Sequence, residues 1–467
     1  MPRLPRFTTL LTATTVGVYL LVVVGATTAL ADAVAACGTW PLCSGPLTDP
    51  QVAVATGHRV AAAVVGVLLL ATVAVGWSMA PRRVRAALGV ALALYPVQVA
   101  VGAFVAVAGA PSLLAGAHLL AAVAIFASLA LALAWQLEAE TGHRPPATTE
   151  AAGTLSATDD TPAPDPAGTP TPLSQRGPVA RARATLYAYF KLMKPRLMWL
   201  LCLVAGAAMA LAAGPDLRVD TIAYTLGGGV LAIGASGTFN HVLERDVDQK
   251  MARTADRPLA THQVPVRNAL VFGGLLTVAA VAVFLQVNTL VAGLGFAAIV
   301  FYSVVYTLVL KPNTVQNTVI GGAAGALPAL IGWAAATGEV GLAGLALAGV
   351  IFLWTPAHFY NLALAYKEDY ARGGFPMMPV VRGETETRKH IVFYLAATLV
   401  AASVLTALTG LGWLFASATV TFGALFLWMV VRLHRERTKG AALRAFHASN
   451  AYLGALLVAV LVDAIAL

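Results

Sequence analysis

The chain has 467 residues, of which 59% are hydrophobic and only 11% charged, with a mean hydropathy of +0.78 and a formal net charge of +9. These values exclude a soluble globular domain, whose apolar fraction is lower. The basic residues sit at the ends of apolar runs rather than on one face, which excludes a nucleic-acid partner and leaves a protein of the lipid bilayer.

Apolar runs of about 20 residues, enough to cross a bilayer as helix, predict spans at 8–30, 54–78, 86–109, 113–136, 196–214, 221–242, 268–286, 289–310, 316–337, 342–362, 390–409, 412–431 and 446–466. Backbone in lipid must satisfy its own hydrogen bonds, so the fold class is an all-α polytopic membrane protein with about thirteen spans. A cytoplasmic N-terminus (Arg3, Arg6) puts Arg82, Arg83, Arg85, Lys311 and the 137–196, 243–267, 367–389 and 432–444 segments on one side. Arg59 and Arg218 alone then lie outside. Basic residues favour the cytoplasm, which predicts a multi-pass cell-membrane protein with its C-terminus outside. The first span is too long, and lacks the small-residue cleavage pattern, for a removable signal.

The first four spans form one unit, 1–136. In its outer loop, CGTWPLC places Cys37 and Cys43 on an oxidising side, which favours a disulfide, whereas Cys202 lies inside a later span and reads as inert. His58 lies about six residues into the second span and His118 a similar distance into the fourth, so both imidazoles sit roughly 9 Å below the outer surface. They read either as bis-His ligands of a haem iron or as structural polar contacts. Arg59 is placed for a haem propionate. Residues 137–186, rich in Pro, Thr, Ala, Gly and Asp, predict a disordered cytoplasmic linker.

The second unit, 187–467, carries nine spans. After its second span comes NHVLERDVDQKMARTADRPL, residues 240–259. Asn240, Glu244 and Asp248 are spaced i, i+4, i+8 and share one helical face, an oxygen set suited to Mg²⁺. Lys250, Arg253 and Arg257 are within reach of phosphate oxygens. A solvated loop of ion pairs is the plain alternative. The segment WTPAHFYNLALAYKEDYARGGFPMMPVVRGETET, 354–387, repeats the theme with Glu368 and Asp369 beside Lys367, Arg372 and Arg382. Two such loops on one face imply a shared polar chamber. Tyr302, Tyr306, Trp333 and Phe359 either offer ring faces to a cation or pack. Asn313, Gln316 and Asn317 in KPNTVQN orient substrate, or in the case of Asn313 cap a helix. His358 and His241 read as haem or proton-handling groups or as structural histidines, and His262 and His390 as ordinary loop residues.

These two segments, with YFKLMKPRLMWL (189–200) and LKPNTVQNTVIGGAAGALPALIGWAAATG (310–338), resemble the protohaem IX farnesyltransferases (haem O synthases) of the UbiA intramembrane prenyltransferase superfamily over essentially 187–467. The resemblance implies nine helices around a central cavity and Mg²⁺-dependent ionisation of farnesyl diphosphate. It also implies farnesyl transfer to a vinyl of haem B with water addition, giving haem O. It assigns catalysis to Asn240, Asp248, Asp369, Arg253, Arg257 and Lys367. Substrate contacts fall to Lys194, Arg196, Asn313, Gln316, Asn317, His358, Tyr370 and Arg372, and Mg²⁺ ligation to Asn240, Glu244, Asp248, Glu368 and Asp369. Glu244 stands where the superfamily usually has Asp.

The first unit resembles one four-helix half of haem A synthase through CGTWPLC, GHR at 57–59 and GAH at 116–118. This implies a haem b on His58 and His118 and a link to haem A synthase or terminal oxidase assembly. Ala55 stands where those synthases carry Glu, so the chain is expected to stop at haem O. The alternatives are a bifunctional haem O/haem A synthase, a UbiA-type transferase with another aromatic acceptor such as a quinone precursor, and a haem transporter. The last requires midmembrane polar residues and an inverted repeat, neither of which is evident.

Overall fold

A computed structural model of the protein describes residues 6–30, 37–108, 112–142 and 177–466, where all regular structure is helical. Among these residues, 13 helices are long and apolar enough to cross a membrane. The first unit is an antiparallel bundle of α1 (Arg6–Leu30), α2 (Pro50–Met79), α3 (Arg82–Ala108) and α4 (Ser112–Thr141). Helix α2 starts earlier than its apolar run because Asp49 caps it, its carboxylate accepting from the Gln51 N–H at 2.9 Å with Pro50 in the first turn.

The predicted linker 137–186 is helical at both ends, since α4 continues to Thr141 and α5 (Pro178–Leu192) buries Ala188 and Leu192. The polar end of α4 is helix rather than loop because its side chains are paired: Glu138 with Arg83 at 2.7 Å, and Glu140 with the Gln136 amide at 2.9 Å. Residues 143–176, where the disorder was expected, lie outside the described residues, as do Arg3 and Asp32.

The second unit follows as α6 (Pro195–Ala213), α7 (Val219–Leu243), the short α8 (Arg245–Asp248), α9 (Val266–Leu285) and α10 (Thr289–Val300). Helix α10 runs on as π-helix over Phe301–Leu310 into α11 (Lys311–Asn313). Then come α12 (Asn317–Thr337), α13 (Leu342–Ala365), short α14 (Lys367–Arg372) and α15 (Met378–Val381), α16 (Glu384–Thr409), α17 (Trp413–Glu436) and α18 (Lys439–Ala466). Alternating direction brings the loops after α7, α13 and α17 to one end of the bundle, with the start of α6.

The two units are not beads on a string. Helices α1 and α4 pack against α16 and α17, and one apolar core runs through Phe126, Leu133, Leu395 and Phe426. At the polar end Glu138 also binds Lys389 at 3.1 Å, and Arg435 lies 3.5 Å from Glu140. Packing in lipid draws on such close contacts rather than on exclusion of water.

Candidate functional site

The ladder does not stop where α7 ends. The Glu244 N–H donates to Asn240 O at 2.9 Å and the Asp248 N–H to Glu244 O at 2.8 Å, so residues 240, 244 and 248 stay one turn apart through the α7–α8 junction. All three are withdrawn from solvent, at 2%, 5% and 1% exposure. Carboxylates buried this deeply require partners. Lys311 pairs with Glu244. Arg257 Nη1 lies 2.8 Å from both Asp248 oxygens and 3.7 Å from Glu244. Asn240 accepts from Lys194, and its amide donates to Thr307 Oγ1 at 3.1 Å. Lys194 also donates to the Tyr302 hydroxyl at 3.2 Å. The π-helical segment supplies Tyr302 and Thr307 and delivers Lys311 at its end; π-winding recurs at functional sites.

The second loop closes over the first. Arg253 donates to the Tyr370 hydroxyl at 3.3 Å and its guanidinium lies 5.3 Å from the Tyr366 ring and 5.6 Å from the Tyr370 ring. Lys311 sits over Phe375 at 4.4 Å and Lys439 over Tyr366 at 4.7 Å. Met251, Tyr370, Phe375 and Met377 form a small apolar core between the loops. Gly373 permits this approach, since a Cβ there would lie 3.1 Å from Met251 Sδ and 3.2 Å from Val247 Cγ1. Asp369 is buried and paired with Arg372.

The electrostatics follow from that geometry. Burial alone would raise the Glu244 carboxyl, but Lys311, Lys194 and Arg257 outweigh it and hold it below the usual range. At Asp248 burial wins over Arg257 and the carboxyl is pushed up. Burial, with repulsion from Arg257, brings the Lys194 ammonium down to about 7. Burial also raises the Tyr370 phenol.

An apolar cavity leads inward from Lys194 and Tyr302. Ser236, Ile233, Gly229 and Thr225 line it from successive turns of α7, and Phe284 lines it from the last turn of α9.

Other residues singled out in the sequence lie elsewhere. Lys367 turns to Glu384 at 3.1 Å, tying α14 to α16. Glu368 and Arg196 are exposed. Asn313 is exposed and donates to Val309 O at 2.8 Å, Gln316 is exposed, and Asn317 closes its own turn on Thr314 O at 2.7 Å. The Asn313 and Asn317 amides thus bond to nearby backbone carbonyls, as such side chains do at helix ends. His358 is stacked between Trp354 at 4.2 Å and Phe446 at 4.4 Å, its Nδ1 2.7 Å from Ser449 Oγ. Trp333 packs on Gly341 and Gly344. Among the described residues no three His, Cys, Asp or Glu side chains converge as a ready-made metal cage. The oxygen donors of Asn240, Glu244, Asp248 and Asp369 still fit Mg²⁺ in type, because such sites need only one or two carboxylates when phosphate and water supply the rest.

In the first unit Cys37 and Cys43 form a disulfide. Arg59 is not placed for a propionate: its guanidinium donates to Thr39 O at 2.7 Å, Cys37 O at 3.1 Å and Pro41 O at 3.2 Å, holding the disulfide loop. His58 lies against Gly25 of α1 and His118 against Gly102 of α3, and both Nδ1 atoms are buried without a hydrogen-bond partner. Gln98, which no sequence pattern marked, lies 3.1 Å from His118 Nε2.

No sequence pattern marks Lys311, Thr307, Tyr366 or Lys439 as site residues. The one signal for Lys311 was a lysine closing an otherwise apolar span, which reads first as topology.

Residues 199–454 match the UbiA prenyltransferase family. The chain is 65% identical over 466 residues to protoheme IX farnesyltransferase 1 of Natronomonas pharaonis, covering 99% of this chain and 100% of that protein. It is 64% identical over 466 residues to protoheme IX farnesyltransferase of Haloarcula marismortui, covering 99% of each. Among solved structures, one described as digeranylgeranylglyceryl phosphate synthase in membranes is 15% identical, with a TM-score of 0.51, over 61% of this chain and 100% of that one. That likeness is one of fold alone.

Proposed function

The chain belongs to the UbiA prenyltransferase family, and from that premise we propose that it transfers the farnesyl group of farnesyl diphosphate to a vinyl group of haem B to give haem O. The observation that carries this reading is the junction at Lys194. There a buried, charge-compensated oxygen cluster meets an apolar cavity, and the names of the relatives supply the acceptor.

The leaving group takes the electron pair of the C1–O bond, and Arg253, Arg257 and Lys194 are placed to meet the charge that develops on diphosphate. Mg²⁺ held by Asn240, Glu244, Asp248 and Asp369 would supply further charge neutralisation there. The tail in the apolar cavity keeps bulk water from the allylic cation. The vinyl π pair forms the new bond to C1. The cation left on the ring-attached carbon is taken by a water oxygen, which then gives up a proton. The basic loops favour the cytoplasmic face of the cell membrane for this chemistry.

Membranes carrying the full chain, given haem B, farnesyl diphosphate and Mg²⁺, are expected to yield haem O on extraction. No farnesylated haem in such membranes would overturn the reading.

For the first unit, the two orphaned Nδ1 atoms favour a haem b site at His58 and His118. With Ala55 offering no carboxylate beside His58, haem O is the end product. The purified full chain should show a low-spin haem spectrum that His58→Ala or His118→Ala removes. An unchanged spectrum in both variants would return these histidines to a structural role.

A further inference from the structure

We propose that Phe284 is the chain-length stop of the prenyl cavity, and that the stretch of α7 from Gly237 to Gly228 is the ruler that fits a C15 tail. This rests on the prenyltransferase reading and adds the residue that sets which allylic diphosphate is used.

Phe284 is fully buried in the last turn of α9 and lines the cavity end. Its ring lies between Gly228 of α7 and Gly295 of α10, where a Cβ on either glycine would overlap it. The turn behind it is held on both sides. The Val287 and Asn288 N–H groups donate to Phe284 O at 3.0 and 3.2 Å, and the Asn288 amide reaches Ala334 O of α12 at 3.1 Å. A ring clamped in this way has little freedom to swing aside.

The lengths agree. From Gly237, beside Lys194, to Gly228, beside the ring, is nine residues of α7, or about 13.5 Å of helix rise. The twelve main-chain carbons of a farnesyl group extend to roughly 14 Å at about 1.25 Å of advance per bond, a geranyl group to roughly 9 Å and a geranylgeranyl group to roughly 19 Å. The C20 tail would have to pass the Phe284 ring. Leu226 and Thr225, on the turn of α7 next to Gly228, line the cavity beside the ring, so shortening Phe284 opens space toward them. Gly229 lines the cavity just short of the stop, and a Cβ there would meet nothing within 4 Å. A larger side chain at 229 therefore enters the cavity itself and shortens it without displacing protein atoms.

The test supplies membranes carrying the full chain with haem B and, separately, geranyl, farnesyl or geranylgeranyl diphosphate, and identifies the alkylated haem by mass. The unaltered chain should favour farnesyl. Phe284→Ala should raise the geranylgeranyl-to-farnesyl product ratio at least about tenfold, and Gly229→Leu should raise the geranyl-to-farnesyl ratio by a similar factor, the scale on which apolar pockets discriminate. If the unaltered chain uses none of the three, the transferase reading itself fails. If it uses farnesyl and both variants keep its preference, only the ruler fails. Should Phe284→Ala be inactive with every substrate, Gly229→Leu decides alone: a shift to geranyl supports the ruler, and an unshifted preference or complete loss overturns it.

Discussion

A carboxylate at 1% exposure with Arg257 on both oxygens cannot be neutralised without losing that ion pair. Asp248→Asn keeps side-chain volume and removes the charge, so haem O formation should fall by about 100-fold or more while the protein still inserts. Extraction of haems from membranes with matched protein levels checks this. Glu244→Asp should retain substantial activity, since Lys311 and Arg257 both remain within reach of a carboxylate there. Lys311→Met leaves the buried Glu244 only its longer 3.7 Å contact with Arg257, and should cost about 3 kcal/mol of stability, read as a lowered melting temperature in detergent. The pH dependence has a defined sign. Lys194, brought down to about 7, is charged below that pH and loses its proton above it, so KM for farnesyl diphosphate should rise between pH 7 and 9. Lys194→Arg should flatten that rise, because guanidinium stays protonated throughout. Asn240, Glu244 and Asp248 were legible in the sequence because a period of four survives any small error in where the helix ends. Lys311 and Lys439 were not, because each reaches the site from a distant part of the chain, and a single lysine at the end of a span has an ordinary explanation.

At the scale of elements, the thirteen spans could be read because about 20 apolar residues in lipid have one backbone solution. The π-helical stretch Phe301–Leu310 had no such signature: its composition is that of any span, and its winding shows only in the structure. The linker ends were misplaced for a related reason. Residues 137–141 look polar enough for a loop, yet Glu138 and Glu140 are spoken for by Arg83, Lys389 and Arg435 across the packed units. At the site, the loop after α14 meets the one after α8 at Gly373. Gly373→Val would press on Met251 and Val247, part the loops and lower activity at least about tenfold, with a smaller loss of melting temperature, since misplacing catalytic groups by an ångström costs more in rate than overpacking costs in stability. Equal activity in that variant would show that the loops need not touch.

On the scale of the whole molecule, two units share a core, yet their chemistry is kept apart. The helices that α1 and α4 cover, α16 and α17, are not those that line the prenyl cavity, which belong to α6, α7, α9, α10 and α12. A chain lacking residues 1–142 is therefore expected to keep haem O formation within a few-fold of the full chain, with a lowered melting temperature because Lys389 and Arg435 lose acidic partners. The docking of α1 and α4 on α16 and α17 was not readable from the sequence, since a shared apolar face looks like a lipid-facing one.

The central claim is that allylic diphosphate is ionised in the chamber of Asn240, Glu244 and Asp248 with a divalent cation. The most direct measurement is haem O formation by membranes carrying the full chain or Asp248→Asn, with haem B and farnesyl diphosphate, across a titration of Mg²⁺ against a chelator. Haem O from the unaltered chain should vanish with chelation and return with Mg²⁺, and almost none should come from Asp248→Asn at any Mg²⁺ concentration. Undiminished haem O from Asp248→Asn, or from the unaltered chain in full chelator, would contradict it.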